Sequence, residues 1–303
     1  MEDFKFIGKD KVPVIAEINT LDEFKRFVFS YSYSYSYSYS YSYSYSYSYS
    51  YSYSYSYKFD EETPDEFKQI PLASDSSTNY ARFYRGHSHV DYCLQSTLER
   101  YLEKFGNQID IRKDYEKLQE KYFEHCKRIL INQSIDGYIL LPSNLKDDNI
   151  WAFAQHYQLK TPLLDWTKSF FVALYFAFES QEENQYRVIY ELNEFFNFGE
   201  KLIIEPEIKI GNRINAQKGV FTKLSSIEFE DIAKLNTNFG NGHVFHRLSK
   251  MLISSKLRKD VLAYLASINI DASTIYPDLL GKIKLCEIGI DNAIAEINLE
   301  YQD

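Results

Sequence analysis

The sequence predicts an α+β fold: a single mixed domain in which helices flank a central antiparallel or mixed sheet, with a low-complexity Tyr-Ser insertion. Strand-like and helical segments are mixed, without the regular alternation of a doubly wound sheet. Residues 30–57 alternate strictly between Ser and Tyr and cannot contribute to a core, so one main domain fits the 303-residue chain better than two. The rest is rich in Leu, Ile, Phe and Tyr, which lets one domain of about 200 residues bury a sizeable core.

The N-terminal segment, residues 1–29, is expected to form a strand and then a helix. Residues 12–18 read VPVIAEI, a short strand-like run, and Thr20 with Glu23 three positions later forms a capping box ahead of LDEFKRFVF. The Tyr-Ser tract follows at residues 30–57, and a polar linker at residues 58–79.

The Tyr-Ser tract has two interpretations. Alternating aromatic and polar residues could stack on bases or drive self-association. A repeat expansion without activity is the other interpretation, and it is favoured because no Lys or Arg lies in the tract to contact phosphates.

The elements after the linker follow from apolar periodicity and breakers. The segment NYARFYRGHS reads as a strand that ends at Gly86. Three helices are predicted next: a long one with an apolar stripe from Ile111 to Ile129, NIWAFAQHY capped by Asp147 or Asp148, and an apolar KSFFVALYFAFES with Thr167 as its N-cap. Further strands and then two terminal helices are predicted at these positions: Arg187–Leu192, Lys201–Pro206 and Val220–Leu224, then Ser249–Leu257 and Lys259–Ser267.

Charge and cysteine content restrict the class of protein. A net charge of −9 argues against a general electrostatic grip on nucleic acid or on anionic membranes. Cys93, Cys126 and Cys286 are odd in number and form no CxxC pair, which is typical of a reducing compartment. No run approaches the roughly 18 apolar residues of a membrane span, and no signal-peptide pattern opens the chain. We therefore expect a soluble, cytoplasmic protein without a membrane partner.

Four sequence blocks together resemble one family. FYRG at Phe83–Gly86 is followed by QHYQLKTPLLDWTKSFFVALYFAF at Gln155–Phe178, RINAQKGVFT at Arg213–Thr222 and IYPDLLG at Ile275–Gly281. In this order the blocks are similar to those of the FRG domain family. The resemblance covers residues 80–290 as the FRG domain and leaves residues 291–303 as a C-terminal tail.

The resemblance implies a layout similar to ADP-ribosyltransferase-like folds, by analogy. It implies that Arg85, at the end of the first core strand, holds the phosphates of NAD or a related dinucleotide, because a guanidinium bonds two phosphate oxygens at once. Gly86 would allow close backbone approach, and Thr167 and Ser169 would stand where such enzymes carry a Ser-Thr-Ser strand. Tyr157 and Thr161 are further candidate substrate-binding residues.

The resemblance also implies that Gln217 stands in the block where such transferases carry their acidic residue. An amide can bond a ribose hydroxyl but cannot balance a developing positive charge, which weakens the case for transfer. Glu205 and Glu207 are alternative carboxylates, although a two-residue spacing of Glu is common.

Each remaining candidate has a structural alternative. Arg85 could be a buried Arg paired with an acid such as Asp165. His156, at the end of a helix, could act as acid, base or hydrogen-bond donor, or simply as a satisfied structural His. Asp165 could position Arg85 or His156, or close the turn into the next helix.

No metal site is predicted. His87, His89 and Cys93, with His243 and His246 as a second half, match no standard zinc spacing. Walker, GxGxxG and GxSxG motifs are also missing from the sequence, so P-loop, Rossmann and nucleophile-elbow chemistry are unsupported.

The sequence thus favours a nucleotide-handling enzyme with NAD as substrate, no required cofactor, and a protein or nucleic acid as acceptor, in the role of a bacterial toxin or phage-defence effector. The alternative is a non-catalytic module that binds a nucleotide, nucleic acid or protein in the same pocket. A third is an interaction protein that assembles through the tract.

Overall fold

The computed structural model describes residues 6–28, 80–106, 110–131, 134–135, 138–139, 141, 144–182, 184–195, 201–207, 213–238, 244–279, 282–283 and 286. The Tyr-Ser tract, the linker at 58–79 and the tail at 291–303, for which the sequence made predictions, lie outside these residues. The described part is the α+β arrangement that the sequence predicts, with one mixed sheet and helices packed on it.

A six-stranded sheet organises the fold. Its strands are β1 (Val14–Ile18), β2 (Tyr80–His87), β5 (Leu164–Thr167), β6 (Tyr186–Phe195), β7 (Gly219–Thr222) and β10 (Leu248–Ser254). Their order is β1-β10-β6-β2-β5-β7, and every neighbouring pair is antiparallel except the parallel pair of β1 and β10 at one edge. Two short ribbons stand apart from it, β3 (Ser134–Ile135) with β4 (Tyr138–Ile139), and β8 (Asn236–Asn238) with β9 (Val244–His246).

The helices of the described residues connect and cover these strands. The first, α1, is described over residues 21–28. The others are α2 (Thr97–Leu102), α3 (Ile111–Leu130), α4 (Asp147–His156), α5 (Phe170–Phe178), α6 (Arg213–Gln217), α7 (Ser226–Ala233), α8 (Arg258–Ser267) and α9 (Ala272–Ile275).

The predicted capping box at the start of α1 is confirmed. Thr20 Oγ1 accepts a bond from the Glu23 amide at 3.2 Å, and the Glu23 carboxylate accepts one from the Thr20 amide at 3.0 Å. Phe24 and Phe27 on this helix are buried against α5, and β1 pairs with β10. The N-terminal segment is therefore built into the same sheet and core as the rest of the chain.

The helix predicted at Ser249–Leu257 is wrong. The structure places β10 there, followed by a short 3₁₀ turn at Ser255–Leu257. Every residue of β10 is buried because the strand lies inside the sheet, between β1 and β6. Periodicity alone cannot assign so short a run to helix or strand, and here long-range pairing decides.

Two predicted helix caps and one predicted strand also differ. Helix α5 begins at Phe170 with Ser169 in the N-cap position, so Thr167 ends β5 and does not cap. The N-cap of α4 is Lys146, not one of the two aspartates after it. Of the strand predicted at Lys201–Pro206, only Ile204 pairs, in an isolated bridge with Phe221.

The sheet has a core on each face, as the alternation of its strands requires. Along β6, Ile189 faces the core built on α5, whereas Val188 and Tyr190 face the opposite core. Along β2, Tyr84 packs on the α5 side and Phe83 on the other. By the same period of two, Arg85 and His87 share the face of Phe83.

Gly86 lies where β2 touches α5. A Cβ built on Gly86 would stand 1.9 Å from the carbonyl oxygen of Ala173 and 2.7 Å from the amide nitrogen of Ala177. Only a residue without a side chain permits this contact between strand and helix backbone. Gly86 thus has a packing role, because α5 already fills the space that a Cβ would occupy.

We expect Gly86→Ala to lower the free energy of unfolding by about 3 kcal/mol, because the new methyl group overlaps backbone atoms that cannot rotate away. Urea unfolding measures it. Gly219→Ala is the matched control, since a Cβ there meets nothing closer than 3.7 Å. Equal stability of the two variants would contradict the tight packing of β2 on α5.

Candidate functional site

A cavity of about 930 Å³ opens beside the β2, β5 and β7 strands. Among the described residues its charged lining is mixed, and comprises Lys9, Arg85, Arg100, Arg213, Asp91, Glu103, Asp165 and Glu179. A volume of this order is typical of small-molecule sites, which span about 300–1,000 Å³. The cavity is therefore the candidate binding site.

Arg85 is held on the cavity wall by two hydrogen bonds. Its Nε donates to His87 Nε2 at 2.8 Å, and its Nη1 donates to the Asp165 carbonyl oxygen at 2.5 Å. The Asp165 carboxylate is 3.9 Å away, and the Arg85 side chain is 19% exposed. Burial lowers the pKa of Arg85 and Asp165 opposes that shift, but a guanidinium stays charged at neutral pH. Within the described part of the chain, Nη2 donates to no protein group, so it is available to a ligand.

His87 fixes the direction of the Arg85 side chain. Because Arg85 Nε can only donate, His87 Nε2 must accept, and its Nδ1 must carry the proton that is donated to the Tyr92 carbonyl oxygen at 3.0 Å. Burial, and then the charge of Arg85, lowers the pKa of His87 from 6.5 to about 3. His87 is therefore a neutral acceptor in the folded protein. The sequence offered it only as an unlikely metal ligand, and its suggested partner His243 lies outside the described residues.

The low pKa of His87 makes the folded state sensitive to acid. Between about pH 3 and pH 6.5 the unfolded chain binds this proton and the folded chain does not, so the free energy of unfolding falls as pH is lowered through that window. We expect His87→Gln to show a shallower decrease than the wild type between pH 7 and pH 5, where carboxylates titrate little. Urea unfolding at each pH tests this, and parallel curves would contradict it.

Asp165 contacts Arg85 and not His156 among the residues that the structure describes. Its carboxylate is exposed, accepts a bond from Gln155 Nε2 at 2.7 Å, and lies at ion-pair distance from Arg85. Of the two positioning roles considered, the structure thus provides the contact to Arg85. His156 lines the same cavity, with its ring edge-on to Tyr157 at 5.3 Å.

Thr167 and Gln217 both line the cavity, and a hydrogen bond joins them. Thr167 Oγ1 donates to the Gln217 carbonyl oxygen at 2.7 Å and accepts from the Ser169 amide at 3.0 Å. The Gln217 side chain donates to the Ile275 carbonyl oxygen at 3.3 Å. These contacts link β5, α6 and α9 around one end of the cavity.

Three predicted substrate-binding residues do not line the cavity. Tyr157 is 65% exposed on the surface and packs on Phe153. Thr161 is fully buried and its hydroxyl donates to the Gln155 side chain, and Ser169 is buried at the start of α5. The contacts of Tyr157, Thr161 and Ser169 in the described structure are therefore with neighbouring protein groups.

The comparisons with known proteins identify part of the chain. Residues 80–186 match the model of the FRG domain. This segment is an FRG domain. No curated protein and no solved structure matches the chain. Among the described helices, none combines the length and apolar character that crossing a membrane requires.

Some of the residues that line the cavity lie outside the segment that matches the FRG model. Arg85, His87, His156 and Asp165 fall inside residues 80–186, whereas Arg213 and Gln217 follow that segment and Lys9 precedes it. The site therefore depends on chain segments on both sides of the matched region.

Glu179, at the end of α5 and inside the FRG domain, is the acidic side chain that the sequence argument missed. Its carboxylate lines the cavity and accepts a hydrogen bond from the Tyr276 hydroxyl at 2.9 and 3.0 Å. Burial, and then Glu179, raises the pKa of Tyr276, which keeps that hydroxyl protonated as a donor. The Arg213 guanidinium stacks over the Tyr276 ring at 5.5 Å and pairs with Asp278 at 2.5 Å.

A signal for Glu179 was present in the sequence. It ends a helix that is otherwise apolar, and a negative charge is unfavourable at a helix C-terminus. By contrast, the glutamates that the sequence offered as replacements, Glu205 and Glu207, pair with Lys168 and Lys146 outside the cavity.

Proposed function

We propose that this FRG-domain protein binds NAD or a related dinucleotide in the cavity and cleaves the bond between nicotinamide and ribose, as ADP-ribosyltransferases do. One observation carries the proposal: the Arg85 guanidinium is partly buried on the cavity wall, is oriented by His87 and the Asp165 carbonyl, and its Nη2 donates to none of the described residues. A fixed cation with donors to spare is suited to a ligand phosphate.

The surroundings of Arg85 support an anionic ligand. Arg100 lines the same cavity and is close enough for its charge to lower the pKa of both Arg85 and His87. Two guanidinium groups that repel each other are both stabilised when a diphosphate lies between them. The cavity volume of about 930 Å³ is ample for a dinucleotide.

The reaction requires a carboxylate, and we assign that role to Glu179, which lines the cavity and is oriented by the Tyr276 hydroxyl. As the bond between ribose C1′ and nicotinamide N1 breaks, nicotinamide leaves with the electron pair and positive charge develops on the ribose. A nearby carboxylate stabilises that charge and can take the proton of the acceptor that attacks C1′. Glu179 lines the cavity, whereas Gln217 offers only a neutral amide.

The acceptor in this proposal is water or a nucleophilic group of a protein or nucleic acid. Hydrolysis would deplete NAD, and transfer would modify the acceptor. Either outcome would fit a toxin or a phage-defence effector acting inside cells.

The test uses the full chain and NAD labelled separately in the nicotinamide and adenylate moieties, with and without cell lysate. Release of labelled nicotinamide supports the proposal, and transfer of the adenylate label to a macromolecule identifies the acceptor class. Binding of NAD by calorimetry without release, in buffer and in lysate, would favour the non-catalytic binding module. Neither binding nor release would overturn the proposed function.

A further inference from the structure

A row of three polar side chains crosses the sheet behind the cavity. Arg85 on β2 is the direct neighbour of Tyr190 on β6, and Tyr190 is the direct neighbour of Lys250 on β10. Directly opposed residues of antiparallel strands project from the same face and contact each other. Tyr190 and Lys250 are fully buried, so this row is a polar stripe inside the core.

Asp10, from the N-terminal segment that precedes β1, neutralises the far end of the row. One carboxylate oxygen accepts from Lys250 Nζ and the other from the Tyr190 hydroxyl. The Lys250 and Asp10 side chains are 0% and 8% exposed, and Lys250 Nζ also donates to the Ile7 carbonyl oxygen at 2.6 Å. A buried ammonium needs such a partner, because an unpaired charge in a core is strongly destabilising.

The row continues to Arg85 through His87. The Tyr190 hydroxyl lies 3.1 Å from the Tyr92 carbonyl oxygen, which is the acceptor of His87 Nδ1–H. Since the carboxylate is the stronger acceptor, the single Tyr190 proton goes to Asp10, and the carbonyl is left to His87. The Tyr190 ring also packs edge-on against the His87 ring at 5.0 Å.

We propose that Asp10 is a positioning residue for Arg85: through Tyr190 and His87 it holds the guanidinium in its ligand-binding direction. The N-terminal segment is thereby part of the site, although it lies outside the matched FRG region, and Lys9, next to Asp10, lines the cavity directly. The expected effect of Asp10 on ligand affinity rests on the proposed dinucleotide site. The effect of Asp10 on the orientation of Arg85 does not depend on any ligand.

The test compares the wild type with Asp10→Asn and with Asp10→Asn/Lys250→Met. The single variant leaves Lys250 buried without its counter-charge, so we expect a lower midpoint of thermal unfolding. The double variant removes both charges and should recover most of that stability. In both variants we expect the affinity for NAD, measured by calorimetry, to fall about 10-fold, because small displacements of a ligating group are costly.

A spectroscopic measurement separates positioning from stability. Nitrogen-15 NMR of the unliganded wild type should show a slowly exchanging Arg85 Nε–H and the Nδ1-protonated form of His87. In the double variant we expect the Arg85 Nε–H to exchange at least about 10-fold faster. Lys11→Gln is the matched control, since Lys11 lies in the same segment but is 70% exposed and pairs with Glu230 at the surface.

Each outcome decides one claim. A double variant that recovers stability and also keeps the wild-type Arg85 signal would overturn the positioning role, because Asp10 would then only neutralise Lys250. If the wild type does not bind NAD, the proposed function fails, and the NMR comparison still decides whether Asp10 positions Arg85.

Discussion

Arg85→Ala is expected to reduce the affinity for NAD at least about 100-fold and to abolish nicotinamide release. The guanidinium is the oriented cation of the cavity, and its removal takes away charge-assisted bonds to the ligand phosphates. Arg85→Lys keeps the charge but loses the planar fork and the Nε–H bond to His87, so we expect an intermediate loss of about 10-fold. Calorimetry with NAD measures both affinities.

The control for this experiment is Arg128→Ala. Arg128 is an exposed arginine on α3 whose Nε bonds the Glu124 carbonyl oxygen, away from the cavity. The Arg128→Ala variant should bind NAD with wild-type affinity. Since Arg85 is partly buried, thermal unfolding of Arg85→Ala must be measured as well. A folded Arg85→Ala protein with wild-type affinity would contradict the phosphate-binding role.

Local rules predicted those parts of the fold that depend on local chemistry. The Thr20 and Glu23 capping box forms because its partners are three residues apart, and α5 is buried because it is apolar all round. The strand that carries FYRG was predicted from its own residues. The helix prediction for Ser249–Leu257 was wrong because this segment becomes a strand by pairing with β1 and β6, which are far away in the sequence.

The candidate site shows the same division. Arg85 and Asp165 were singled out from two sequence blocks, and the structure brings them together. Gly86 was singled out for close approach of the backbone to a ligand, and it does line the cavity. Its close contact with the α5 backbone is a further reason for glycine, which no local pattern reveals. His87 was set aside with the metal candidates. Its role depends on two contacts that appear only in the structure. The alternation of side chains along β2 places it beside Arg85, and the Tyr92 carbonyl in the following loop fixes its tautomer.

Closeness in sequence to cavity residues did not place every candidate in the cavity lining. Thr161 and Ser169 flank cavity residues in the sequence, yet both are buried, Thr161 in the segment before β5 and Ser169 at the start of α5. Proximity in sequence to a site residue is therefore a weak guide wherever a strand passes into a helix. Glu179 lies 14 residues beyond Asp165 and lines the same cavity, since α5 returns the chain to it.

Glu179→Gln is expected to lower the rate of nicotinamide release about 1,000-fold while changing the affinity for NAD less than about threefold. The carboxylate is needed when positive charge develops on the ribose, so its loss acts on the transition state more than on binding. Single-turnover measurement of nicotinamide release, with calorimetry of NAD binding, separates the two effects. Glutamine keeps the size of the side chain and can still accept from the Tyr276 hydroxyl.

Two companion variants decide whether Glu179 itself is responsible. Tyr276→Phe removes the hydroxyl that orients the carboxylate, and we expect a smaller loss of about 10-fold in rate. Glu103→Gln alters the other glutamate of the cavity lining, which is exposed and accepts from Gln95, and it should leave the rate near the wild-type value. If Glu103→Gln instead abolished release and Glu179→Gln did not, the roles would be reversed. The reacting ribose would then lie at the α2 side of the cavity, away from Glu179 at the end of α5.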